Sequence, residues 1–134
     1  MWLKRTGMLV VFVLVAAFGS FVSAQASTQA AGCRAAPYSA SFSRYFETET
    51  YQELGSYTTS SQCNDINLRS TNGTSFFACV VFVNHGTACN QGYTAPASGA
   101  WVNIATDVLD GTRFNVRVYK GGANGVTHSG VMDF

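Results

Sequence analysis

Four cysteines, Cys33, Cys63, Cys79 and Cys89, constrain this chain more than any other feature. Their number is even, and their separations of 30, 16 and 10 residues are too wide for the paired C-x-x-C ligands of a structural zinc site. Ahead of them stands the three-part pattern of an export leader: Lys4 and Arg5, an apolar run from Met8 to Phe18, then small residues up to Ala24. The apolar run is well short of the roughly 20 residues that span a bilayer. Cleavage after Ala24, with Ala26 as the competing position, makes 1–24 a signal peptide and sends the rest to an oxidising, extracellular compartment. There, two disulfides are the expected state of four thiols in a small domain, and no membrane attachment is expected once the leader is gone.

Composition narrows the partners. Only 11% of residues are charged, against roughly 25% in an average soluble domain, and 47% are hydrophobic. The net charge is +1, and it turns slightly negative when Lys4 and Arg5 leave with the leader. No basic field exists to hold nucleic acid.

Residues 25–37 (QASTQAAGCRAAP) are small and aperiodic and read as a flexible lead pinned at Cys33; 38–134 reads as one all-β domain. Val, Ile, Thr, Phe and Tyr cluster there in short runs broken by Gly and Asn. The expectation is about seven to nine short antiparallel strands in a two-layer β-sandwich or a small barrel, present as a monomer.

Two turns carry a register. Asn72-Gly73 fits a two-residue hairpin loop, with Thr71 opposite Thr74, Leu68 facing Phe77 and Ile66 facing Cys79. The run from Phe76 to Val83 is then a central strand, apolar on both faces. Leu109-Asp110-Gly111 fits a three-residue loop with Gly111 left-handed, pairing Ile104 with Val116 and Val102 with Val118. Its other face aligns Asp107 with Arg113, Asn103 with Arg117 and Trp101 with Tyr119.

Asn84 to Thr87 reads as a turn into a further strand near Ala88 to Tyr93, which brings Cys79 opposite Cys89. Four cysteines allow three connectivities; Cys79–Cys89 with Cys33–Cys63 is the preferred one. Tyr38 to Tyr57 reads as one or two irregular strands broken at Gly55. Gly121 to Gly130 reads as loop or hairpin, with Val131 to Phe134 as a closing edge strand.

The stretches TTSSQCNDINLR (Thr58 to Arg69) and WVNIATDVLDGTRFNV (Trp101 to Val116) resemble segments of small exported actinobacterial β-proteins with no assigned activity. The resemblance implies an exported β-fold and no particular functional residue.

Chemistry-bearing residues are few. His85 and His128 both lie beside glycines, where an exposed turn histidine is the plain reading, and no G-x-S-x-G is present. If Phe46 to Tyr51 is extended, Glu47 and Glu49 share a face at a spacing of the order used by glycosidases, against the plainer reading of a solvated strand. Asn64, Asp65 and Asn67, with Asp107 or Asp110, offer oxygen ligands for calcium but do not match the spacing of an EF-hand loop, and turns favour the same residues. Asn72-Gly73-Thr74 matches a glycosylation acceptor already explained by its turn chemistry. No metal or cofactor is expected.

The strongest candidate is a surface. In the proposed register Trp101, Tyr119, Asn103, Arg117 and Arg113, with Asn115, share one face that combines flat rings with hydrogen-bonding groups, as sugar- and peptide-binding surfaces do. The competing arrangement has Trp101 and Tyr119 covered by other parts of the chain; Tyr51, Tyr57 and Tyr93 carry the same choice. The expected function is therefore a secreted binding or inhibitory module for a glycan or secreted protein, the inhibitory loop being Asn84 to Ala88. A cell-envelope structural protein and a small hydrolase using Glu47 and Glu49 are the alternatives.

Overall fold

A computed structural model describes residues 32–134. The expected leader, 1–24, and the first part of the lead, 25–31, lie outside the described residues. Seven strands follow: β1 (Ala40–Phe46), β2 (Tyr51–Thr58), β3 (Ile66–Ser70), β4 (Phe76–Phe82), β5 (Trp101–Ala105), β6 (Arg113–Lys120) and β7 (Val126–Asp133), with one short 3-10 turn, Val83–His85, after β4. They form a four-stranded sheet in the order β1-β7-β3-β5 and a three-stranded sheet in the order β2-β6-β4. Every pairing between strands is antiparallel. The sheets do not close into a barrel, so the architecture is a sandwich.

Side-chain alternation builds the core. On β6, Phe114, Val116 and Val118 are buried while Arg113 and Tyr119 are exposed, the period-2 pattern of a strand with one wet face. Phe42, Phe46, Ile66, Leu68 and Met132 of the larger sheet meet Leu54, Phe76, Val80, Val116 and Val118 of the smaller one in one cluster. Each such side chain, fully buried, contributes about 1.5 to 3 kcal/mol of transfer free energy. Phe134 closes one end, its ring 5.0 Å from Phe114 and 5.4 Å from Tyr57.

Both expected hairpins are corrected. β3 pairs with β5 and β7, while β4 pairs with β6, so Ile66 and Leu68 face the core from one sheet and Ala78 and Val80 from the other. β5 and β6 likewise belong to different sheets. Gly73 (φ 75°) and Gly111 (φ 77°) do occupy the left-handed region, yet each turns the chain between sheets instead of closing a ladder. Asn72 explains the first crossing: its Nδ2 donates to the Thr127 carbonyl at 2.7 Å, docking the link onto β7.

β4 is also corrected, from central strand to edge of its sheet. Its free edge is partnered because the long segment after it returns alongside. Ala78 and Thr94 exchange two backbone hydrogen bonds of 2.8 Å, and Asn90 N–H donates to the Val80 carbonyl. No strand forms near Ala88 to Tyr93. β7 starts at Val126 and is interior to its sheet, between β1 and β3, rather than a closing edge. Gly130 is needed there because a Cβ would lie 2.7 Å from the Phe42 ring and 2.8 Å from the Arg69 carbonyl oxygen.

The disulfides join Cys33 to Cys63 and Cys79 to Cys89, with Cα separations of 5.1 and 5.5 Å. The first ties the lead to the four-stranded sheet, and the second ties the segment after β4 back to that strand. Gly55 interrupts β2 as expected, the register shifting between Leu54 and Tyr57.

Candidate functional site

The five residues proposed from sequence do not share a face. Trp101 and Asn103 lie on β5 and point outward from the four-stranded sheet, whereas Tyr119, Arg117 and Arg113 lie on β6 and point outward from the three-stranded one. The reason is the lost β5–β6 hairpin: the parity along each strand is as expected, but the strands belong to opposite layers.

The first of these faces is closed by the chain itself. Arg69 lies beside Trp101 in the ladder, and its guanidinium sits 5.0 Å from the Trp101 ring and 5.3 Å from that of Tyr38, the first residue after the lead. It also donates to the Tyr38 hydroxyl at 2.8 Å. Arg34 Nε donates to Asn67 Oδ1 at 2.9 Å, and a second Arg34 N–H donates to Asn103 Oδ1. Asn103 in turn donates to Asp65 at 2.7 Å, and Asp65 accepts the Asp107 N–H at 3.1 Å. Trp101 is thus half-buried, and Asn103, Asn67 and Asp65 around it already have partners, while Arg69 Nε has none among the described residues. Asp65 and Asn67, two of the proposed calcium ligands, are held within this network. Among the described residues no group of three or more His, Cys, Asp or Glu converges on a point where it could hold a metal ion.

The second face is open. Three rings stand in line across the strands, Tyr51 on β2 opposite Tyr119 on β6, and Tyr119 opposite Phe77 on β4. Tyr93 joins them, its ring 5.6 Å from that of Tyr119, while Phe77 lies 6.3 Å from Tyr119. All four are between 37% and 49% exposed. One pleat further along, Glu53 lies opposite Arg117 and Arg117 opposite Cys79, so the disulfide packs beside the polar row. Arg117 Nε donates to Glu53 at 3.0 Å, another of its N–H groups donates to the Thr87 carbonyl at 3.0 Å, and its guanidinium lies 4.6 Å from the Tyr51 ring. Hydrogen bonding to Glu53 holds the Arg117 pKa above its ordinary value despite some desolvation. These residues, with Asn115 and Val83, line a cleft of about 510 Å³. Of the seven large exposed hydrophobic side chains among the described residues, Tyr51, Phe77, Tyr93 and Tyr119 make up this band and Val83 lines the cleft; such concentration marks contact surfaces on small domains.

Phe77 is the residue that sequence reading placed wrongly, as a core partner of Leu68. The signal was present: Phe76 and Phe77 are adjacent on one strand, so one of them must point away from the core.

The groups with catalytic potential are otherwise engaged. Glu47 and Glu49 lie in the β1–β2 turn, not on a strand. The Glu49 carboxylate accepts the N–H groups of Glu47 and Thr48 at 3.0 and 3.2 Å, and bonding to its own backbone N–H first, then to these two, holds its pKa below the usual value. His85 is exposed, whereas His128, expected in a loop, is buried on β7 with its ring 5.1 Å from Phe46 and 5.2 Å from Phe76.

Asn72 and Thr74 surround one side of that imidazole. Asn72 Nδ2 donates to Thr127, its Oδ1 lies 2.9 Å from the Thr74 hydroxyl, and Thr74 Oγ1 lies 2.7 Å from His128 Nδ1. Its other nitrogen, Nε2, has no partner among the described residues, and burial pushes the pKa of the ring down.

Comparisons with known proteins add no further assignment: no model of a protein family matches the chain, and neither curated proteins nor solved structures give a match.

Proposed function

We propose that the chain is an exported glycan-binding module whose contact surface is the outer face of the three-stranded sheet. The observation that carries this reading is the band of four half-exposed rings, Tyr51, Tyr119, Phe77 and Tyr93, beside a cleft that offers both hydrogen-bond donors and acceptors. Sugar rings present apolar C–H faces and hydroxyl edges, and a surface of exposed aromatics next to a few placed polar groups answers both. The leader pattern and the two disulfides suit a protein working outside the cell. The test is retention of the mature chain in affinity gels containing insoluble and soluble polysaccharides. Binding that disappears in Tyr119→Ala, with an unchanged far-ultraviolet spectrum, is the expected result. Binding that survives Tyr119→Ala and Tyr51→Ala together would move the contact elsewhere.

A second reading, an inhibitor, is favoured by one loop, though not the expected Asn84 to Ala88. Leu109 is 81% exposed, and the backbone that presents it is fastened to Thr59: the Thr59 hydroxyl donates to the Leu109 carbonyl at 2.7 Å, and Gly111 N–H donates to the Thr59 carbonyl at 2.9 Å. A rigid loop offering one aliphatic side chain suits insertion into an apolar specificity pocket, since little ordering entropy is lost on binding. Slowed turnover of a secreted protease by the wild type, relieved in Leu109→Ser, is its mark.

A further inference from the structure

We infer that the cleft beside Tyr51 takes an uncharged sugar unit, gripping two neighbouring hydroxyls between the Glu53 carboxylate and the Arg117 guanidinium, and that it discriminates against acidic sugars. The inference rests on the glycan-binding reading and adds the class of sugar to it.

The cleft contains one carboxylate and one guanidinium, and they are bonded to each other. Glu53 Oε1 takes the Arg117 bonds, while Oε2 meets only a long contact of 3.4 Å from Asn115 Nδ2. An accepting oxygen is therefore left facing the cleft, beside an amide and a guanidinium that donate. A sugar hydroxyl both donates and accepts, so two adjacent hydroxyls can satisfy this mixed edge without separating the ion pair. A sugar carboxylate or sulfate accepts only. It would have to displace Glu53 from Arg117 or lie against a like charge in a partly desolvated cleft, and both arrangements are unfavourable.

The rest of the surface agrees. The guanidinium that lies over Tyr51 is the one already neutralised by Glu53, and the Thr87 carbonyl takes another of its N–H groups. The chain as exported carries no positive excess that would draw in an acidic polymer. Further units of a sugar chain can then rest on Tyr119, Phe77 and Tyr93 without any charged partner.

The test measures affinity for cello-, manno- and chito-oligosaccharides and for oligogalacturonate and hyaluronan fragments, each at low and high salt. The wild type is expected to bind at least one neutral series, with acidic fragments about tenfold weaker or worse, and with little dependence on salt. Glu53→Gln, at an exposed position, leaves Arg117 unpaired; it should weaken the neutral ligand about tenfold and strengthen the acidic one, now in a salt-sensitive manner. Wild-type preference for acidic fragments, with binding still lost in Tyr119→Ala, would overturn the charge selection and leave the glycan reading standing. Binding to neither class would overturn the glycan reading itself. A Glu53→Gln variant with the same ranking of ligands as the wild type would also overturn the proposed grip.

Discussion

The two outer faces of the sandwich use the same residues to opposite ends. On the four-stranded sheet, Arg69 lies between the rings of Tyr38 and Trp101, with asparagines and a carboxylate alongside. On the three-stranded sheet, Arg117 lies over Tyr51, with Glu53 and Asn115 alongside. The first set is overlaid by the lead, which Cys33–Cys63 fixes in place; the second has only the segment from Thr87 to Tyr93 at its rim and remains open. A guanidinium stacked on aromatic rings therefore does not by itself identify a binding surface. What separates a structural cluster from a binding one is whether another part of the chain already covers it.

The largest expected effect comes from uncovering the closed face. Replacing Cys33 and Cys63 together by serine should lower the stability by about 2 to 4 kcal/mol, read from the denaturant midpoint. Trp101 is the only tryptophan among the described residues. In that variant its emission should shift to the red as Tyr38 leaves it, while glycan binding on the opposite face persists at low denaturant. An unchanged Trp101 spectrum would mean that Tyr38 stays docked without the disulfide, the lead being held through Arg34 alone.

The same substitution on each face sharpens the contrast. Arg69→Ala removes contacts with two rings and a hydrogen bond within a covered cluster, and should cost about 2 kcal/mol of stability with no effect on binding. Arg117→Ala removes a pair partly open to solvent and should cost less than about 1 kcal/mol, yet weaken glycan binding about tenfold. The reverse pattern, measured by denaturation and affinity gels on the same preparations, would exchange the roles assigned to the two faces.

Reading the sequence recovered one part of this arrangement and missed the other for a definite reason. Alternation on β6 correctly predicted that Phe114, Val116 and Val118 point one way and Arg113, Arg117 and Tyr119 the other, because parity is a property of a single strand. Which strand lies alongside is a long-range matter. Asn72-Gly73 and Asp110-Gly111 have the local chemistry of hairpin loops, and both permit a crossing to the other sheet just as well. With β5 and β6 assigned to one hairpin, Trp101 and Tyr119 became neighbours; in the sandwich they are on opposite sides. Cys79 and Cys89 escaped this difficulty because the ten-residue link between them restricts the geometry more than any ladder does. Gly130 misled in the other direction: a glycine required by the close approach of Phe42 was taken as a loop signal, which hid β7 and the burial of His128.

His128 gives the next prediction, one that belongs to neither face. Burial lowers its pKa in the folded state, so the unfolded chain takes up the proton first as pH falls. Stability should thus be constant above the unfolded value of about 6.5 and decline as the solution is acidified below it, levelling only beneath the folded pKa. Its cross-strand neighbour Arg44 offers the imidazolium no compensating charge. His128→Phe should remove this decline between about pH 7 and pH 5, checked by denaturation midpoints. Glycan binding in native protein should keep the same affinity across that interval, since His128 is buried against Phe46 and Phe76 and not on the open face.

The smallest effect expected is at Glu49, and it has the opposite origin. Its carboxylate caps the β1–β2 turn through the N–H groups of Glu47 and Thr48, and its own backbone N–H, ahead of these two, favours the ionised form. A folded pKa below the unfolded one means that the contribution is present above the unfolded value and is lost as pH falls through the folded one. Glu49→Gln should therefore leave stability near neutrality almost unchanged and flatten slightly the acid limb left in a His128→Phe background. Because the turn stands apart from the ring band, the substitution should also leave glycan affinity as it is. Loss of a hydrolytic activity in Glu49→Gln, with the fold intact, would contradict the assignment of this carboxylate to the turn and return the pair Glu47 and Glu49 to a catalytic role.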